Sequence, residues 1–164
     1  MTDFTSGDAH ARPAPTQPAD GAEPPKSFLE PLDEAECWEL ISAGGIGRIG
    51  YSGRYGPMIQ PVNYKVLDKA MVFRTAEHSS MGEDLRTGIA HAEYKVAFEI
   101  DKYDMDAQRG WSVLIQGDAH YVDSEAERAS AIQTGVEAWV AGERNLFLRI
   151  VPTRITGRRV GAPV

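Results

Sequence analysis

The chain has 164 residues, 42% hydrophobic and 25% charged, the balance of an ordinary globular protein of one domain. A formal net charge of −7 argues against a nucleic-acid partner, which calls for a basic face, and no apolar run reaches the roughly 18 residues a membrane span requires. The single cysteine, Cys37, cannot close an intramolecular disulfide, and the N-terminus has no basic-then-apolar leader, so the expected compartment is the cytoplasm.

Residues 1–27 hold five of the ten prolines and few large apolar side chains. Such a stretch buries too little to offset its ordering entropy, so it reads as a disordered tail before a domain at 28–164. Asp33 followed by Glu36 is a capping box that opens a helix, and Gly44-Gly45 closes it. Cys37 lies in that helix with no base or metal partner in the pattern and reads as a small packed residue.

Residues 46–51, IGRIGY, form a Gly-rich strand. They are not a dinucleotide fingerprint, because no helix follows and the third glycine is missing. Glycine inside a strand marks close backbone approach or a barrel corner. After a turn at 52–56 the next strand alternates, with Met58, Gln60, Val62, Tyr64 and Val66 on one face and Ile59, Pro61, Asn63 and Lys65 on the other. Asp68-Lys69 makes a tight hairpin into a strand at 71–75, whose Arg74 and Thr75 stand at its end. A loop with Ser79 and Ser80 leads to a short helix opened by Gly82. A guanidinium, three hydroxyls and a helix N-terminus within about a dozen residues are the ingredients of a phosphate site.

A fourth strand holds Val96, Phe98 and Ile100 on one face, followed by a polar loop at 102–110 and a fifth strand at 111–122. Ser124 with Glu127 suggests a second capping box and a helix to about residue 140, stopped by Gly142. Two strands at 145–151 and 153–160, split by Pro152, end the chain. About seven strands on short connections, without strict strand–helix alternation, predict a mainly β fold whose antiparallel, Greek-key-like strands close into a barrel. The histidines at 10, 78, 91 and 120 have no ligand spacing, so no metal site is expected, although His78 lies in the phosphate loop. No acid–base carboxylate pair stands out.

Three segments in this order carry a family resemblance: Phe73-Arg74-Thr75 with the serine loop and Asp84-Leu85-Arg86; the run GWSVLIQG at 110–117; and Arg149-Ile150 with RITGRR at 154–159. Together they resemble the pyridoxamine 5′-phosphate oxidase-like flavoproteins, split β-barrels that bind FMN, over roughly residues 32–160. The resemblance implies that Arg74 binds the FMN phosphate with Thr75, Ser79 and Ser80. It implies that Gln60, Pro61, Val62 and Asn63 meet the isoalloxazine ring, that Trp111, Ser112 and Gln116 line the site, and that Arg158 completes it from a second subunit. It further implies an oxidoreductase acting on a small-molecule substrate, with the cofactor carrying the hydride. A deazaflavin is the alternative cofactor, and a non-catalytic flavin- or haem-holding module on the same barrel is the alternative function. A homodimer is expected, since a small barrel with a flavin at its surface would otherwise expose a wide apolar patch. The family usually carries a lysine directly after the loop serine. This chain has Met81, so either Arg86 or a partner arginine replaces that cation, or the ligand differs, or binding is weak.

Overall fold

The computed structural model describes residues 28–85, 93–139, 142 and 144–161. The tail expected at 1–27, Arg86 and His91 lie outside them. The order of elements is β1 (Phe28–Leu32), α1 (Glu34–Ile41), β2 (Gly45–Gly53), β3 (Gly56–Leu67), β4 (Ala70–Thr75), α2 (Ser80–Asp84), β5 (Tyr94–Asp104), β6 (Arg109–Tyr121), α3 (Glu125–Gln133) and β7 (Leu146–Gly161). All strand pairs are antiparallel, in the order β1-β7-β4-β3-β2-β5-β6, and β6 also pairs with β7. That last pairing closes β7, β4, β3, β2, β5 and β6 into a ring and removes its open edges. No helix among the described residues is long and apolar enough to cross a membrane.

The barrel interior is filled by inward residues of alternating strands. Phe98 lies at the centre, edge-on to Tyr64 at 5.4 Å between ring centroids and stacked with Phe73 at 6.2 Å. The Tyr64 hydroxyl donates to the Ile41 carbonyl at 3.1 Å, which ties α1 to this cluster, and burial pushes its pKa up to about 12. Gly47 of β2 makes room for it: a Cβ there would stand 2.3 Å from the Phe98 ring. At the other face of α1, Cys37 is fully buried and a Cβ on Gly157 would meet its sulfur at 2.6 Å. Burial, and then the nearby Glu36, Asp33 and Glu34, raise the Cys37 thiol pKa, as suits a packed residue. A smaller cluster lies outside the ring under α3, made of Val72, Val122, Ala131, Val136 and Phe147.

The capping box at Asp33 is complete, with the Glu36 amide donating to Asp33 at 2.8 Å and the Asp33 amide to Glu36 at 2.9 Å. The Asp68-Lys69 hairpin has positive φ at both residues, 49° and 54°, the twist a two-residue connection needs. Several boundaries differ from the sequence reading. β5 and β6 run through most of the expected 102–110 loop, leaving a turn at 105–108. α3 stops at Gln133 because the Thr134 hydroxyl caps the Ala131 carbonyl at 2.6 Å and Gly135 turns left-handed, φ 64°. Ser124 does accept from the Glu127 amide, but the Glu127 carboxylate binds His120 and Arg149 rather than closing a box. The two expected C-terminal strands are one, β7, since Pro152 falls where the register with β6 shifts at Gln116/Gly117, the kind of irregularity that tolerates a residue without an N–H. β1 escapes the sequence because only Leu32 of its five residues is buried and Pro31 interrupts it.

The Phe98 ring cannot yield on the Gly47 side, being held by Tyr64 and Phe73. Gly47→Ala is expected to cost about 1–3 kcal/mol from overpacking, read as a lower urea midpoint. Adding Phe98→Leu to that variant should recover some of the loss; an unchanged midpoint for Gly47→Ala alone would show that the ring moves freely.

Candidate functional site

The site follows from a parting of strands. β3 pairs with β2 over Gly56–Tyr64, but with β4 only over Tyr64–Leu67. Beyond the Tyr64–Phe73 pair, β4 turns to β7, matching Arg74 with Phe147 and Thr75 with Leu146. Residues 60–63 therefore have β2 on one edge and no strand on the other. Pro61 suits such an edge, having no N–H to leave unpaired.

A cavity of about 340 Å³ lies in this fork. β3 supplies Gln60, Pro61, Val62 and Asn63, and β4 supplies Arg74 and Thr75. Ser79 and Met81 come from α2 and its cap, and Ala138, Trp139 and Arg144 from the segment between α3 and β7. Seven of the expected site residues thus meet in one place. Ser80 stands beside them, its hydroxyl accepting from Gln60 Nε2 at 3.2 Å.

Arg74 is held in place. Its Nε donates to the Arg144 carbonyl at 2.8 Å, and its guanidinium lies 5.2 Å from the centre of the Phe147 ring. Arg128 lies near the same ring at 5.6 Å and donates to the Asn145 carbonyl at 3.2 Å. The guanidinium's other four N–H groups belong to its terminal nitrogens, which can fork across two oxygens.

The hydroxyls are less free than their types suggest. Helix α2 begins at Ser80, with Ser79 as its cap, rather than at Gly82. Ser79 Oγ donates to the Ala76 carbonyl at 2.8 Å and accepts from the Gly82 amide at 2.9 Å. Its single proton is thereby spent, so in the 2.9 Å pair with Thr75 it is the Thr75 hydroxyl that donates. The Ser79 oxygen has one proton and two lone pairs, and all three are engaged. Thr75, 1% exposed, directs its own proton into the same network. Met81 is buried in the main core, so a lysine there would carry its charge inward.

The remaining expected residues lie elsewhere. Ser112 and Arg158 face each other across β6 and β7, with Arg158 Nε donating to Ser112 Oγ at 3.2 Å. Gln116 is exposed on the same side of β6. β6 stands three strands from β3 in either direction around the ring, about 14 Å by ordinary strand spacing along the sheet. Trp111 has the opposite parity to Ser112 and packs against the core at the barrel end, lining a different cavity with Phe28 and Tyr103. His78 is exposed and does not line the fork. The sequence reading missed Ala138 and Trp139, which it placed inside α3, and Arg144.

Because Ser79 caps α2 and receives the buried Thr75 hydroxyl, Ser79→Ala is expected to destabilise the fold by about 1–2 kcal/mol. Ser80→Ala should stay within about 0.5 kcal/mol of wild type in the same urea titration. Equal effects of the two changes would refute the assignment of the cap to Ser79.

The family profile described as Pyridoxamine 5′-phosphate oxidase matches residues 33–159. Rv0080 of Mycobacterium tuberculosis is 31% identical over 131 residues, 80% of this chain and 85% of that protein. The structure of an FAD binding protein from Mycobacterium smegmatis superposes with a TM-score of 0.65 at 32% identity, covering 80% of this chain and 98% of the other. A candidate pyridoxamine 5′-phosphate oxidase from Corynebacterium glutamicum gives a TM-score of 0.69 at 28% identity, covering 88% and 99%. With its closed antiparallel ring parted between β3 and β4, the chain belongs to the pyridoxamine 5′-phosphate oxidase-like family of split β-barrels.

Proposed function

We propose that the protein binds FMN in the fork between β3 and β4 and serves as a flavin-dependent oxidoreductase. The observation that carries this reading is the character of the cavity. In a chain of net charge −7, its described lining holds two arginines and no carboxylate. The other cavities described each include an acid: Asp104 in one, Glu99 in another, and Glu93, Asp123 and Glu127 in the third. A basic end beside Pro61, Val62, Met81, Ala138 and Trp139 suits a planar aromatic ligand with a phosphate tail. The similarity to a protein named for FAD binding supports a flavin as that ligand.

Bound flavin would supply the hydride chemistry. The chain's own residues would place it. Arg74 holds the phosphate, the open edge of 60–63 offers backbone groups to the ring, and the apolar wall excludes water. No carboxylate, histidine or cysteine is among the described lining residues, which agrees with a protein that leaves proton and hydride handling to cofactor and substrate. The same lack favours a second reading, a module that holds flavin without turnover. Consumption of a nicotinamide donor by the flavin-loaded protein separates the two.

The active form is proposed as a homodimer. Ser112 and Arg158 lie across the ring from the fork, so only a second copy can bring them to it. Light scattering at micromolar concentration should give twice the 18.0 kDa chain mass. A single 18.0 kDa species would overturn the dimer.

Arg74→Ala is expected to weaken FMN binding by about 2–3 kcal/mol, near a hundredfold, since charge-assisted bonds to phosphate are the strong ones. Arg74→Lys should recover only a portion, because an ammonium cannot fork. The measurement is fluorescence titration of the apoprotein with FMN and with riboflavin. Equal weakening of both ligands would show that Arg74 does not read the phosphate. Failure of wild type to bind either flavin would end the FMN assignment and send the titration to the deazaflavin and to haem.

A further inference from the structure

We propose that Arg144 is a second phosphate ligand of the fork, so that two neighbouring guanidiniums, from β4 and from the segment entering β7, clamp the phosphate end of a flavin nucleotide. The inference rests on the flavin reading above and adds a residue to it. Three observations carry it. Arg144 lines the same cavity as Arg74, from the segment that enters β7. Its Nε is buried without a hydrogen-bond partner, so the guanidinium is not tied to another group through that atom. And the Arg144 carbonyl accepts the Arg74 Nε at 2.8 Å, so the backbone of one arginine fixes the side chain of the other.

The hydroxyls sharpen the argument. Ser79 is saturated by the Ala76 carbonyl, the Gly82 amide and Thr75, and the Thr75 proton is spent on Ser79. Among the described lining residues, Arg74 and Arg144 are the cationic donors left for a dianion. One guanidinium neutralises half of a phosphate monoester's charge, and two match it. The clamp is equally suited to the monoester of FMN and to the diphosphate of FAD, and the titration tells these sources apart.

The test compares wild type, Arg144→Gln, Arg144→Lys and the Arg74→Gln/Arg144→Gln double variant. FMN, FAD and riboflavin are titrated by flavin fluorescence, and inorganic pyrophosphate is added in a thermal melt. Arg144→Gln should weaken the preferred nucleotide roughly ten- to hundredfold while riboflavin changes less than about twofold. The double variant should bind that nucleotide no better than riboflavin. Arg144→Lys keeps charge and length and should lie between, which also serves if the Gln variant fails to fold. A preference of wild type for FAD over FMN would assign the diphosphate to the clamp, and the reverse preference the monoester. Nucleotide affinity of Arg144→Gln within about twofold of wild type, or an equal loss for riboflavin, overturns the proposal. If wild type binds no flavin yet pyrophosphate raises its melting temperature in an Arg144-dependent manner, the flavin reading fails and the clamp stands. If pyrophosphate does nothing as well, both fall.

Discussion

The architecture depends on one aromatic cluster. Phe98 packs between Tyr64 and Phe73 at the last residue pair that joins β3 to β4. Up to that pair the two strands form an ordinary hairpin. Past it, β4 leaves for β7 and β3 keeps only β2. A strand edge so exposed carries donors and acceptors that need partners from water or a ligand. The fold tolerates this opening because the barrel is closed elsewhere, by β6 against β7. The cluster also reaches α1 through the Tyr64 hydroxyl and presses on Gly47 of β2. The opening of the site and the packing of the core thus share one set of rings.

The electrostatics follow the same division. Several acidic residues among the described ones are tied up away from the fork. Arg48 lies between Glu99 and Asp101 at 3.1 and 2.7 Å, and Arg54 binds Glu83 and Asp84, each at 2.8 Å. Glu127 is shared by His120 and Arg149 at 3.1 Å each; burial alone would raise its pKa, but these two partners outweigh it and lower it. In the fork, by contrast, Arg74 is held by a carbonyl and an aromatic face, neither of which cancels its charge. A guanidinium fixed in this way loses little freedom when it meets an anion, which is where preorganisation adds affinity.

How much of this the sequence shows depends on how local each cause is. The β3–β4 hairpin, the Asp33 cap and the alternation along β3 are set by neighbours in the chain, and all are legible. So were Gln60 to Asn63, Arg74, Thr75 and Ser79 as a group, since a hairpin brings them together. Arg144 was not, because it meets Arg74 across 70 residues of sequence. Its position depends on α3 ending at Gln133, where the Thr134 hydroxyl cap and Gly135 overrode a pattern that reads as helix to about residue 140. Pro152 misled for a related reason: a proline that ends a regular strand is harmless at a bulge, and the bulge is set by pairing with Gly117. The division of Trp111 from Ser112 follows from strand parity, which puts neighbours on opposite faces however similar their expected roles.

The committed state of Ser79 bears on what kind of phosphate site the proposed reading requires. A loop of hydroxyls and amides reads an anion by many weak donors, each set by local backbone. Here the loop's central hydroxyl closes its own helix cap and shelters Thr75, and Met81, two residues on, is buried against the core. The loop has become a structural joint between β4 and α2. On the proposed reading, anion recognition falls to Arg74 on β4 and Arg144 on the segment entering β7, joined through one carbonyl. Such a site is more sensitive to the placement of the segment entering β7 than to the loop sequence. That dependence links the packing of α3, through Val136 and Phe147 in the outer cluster, to the geometry at the fork.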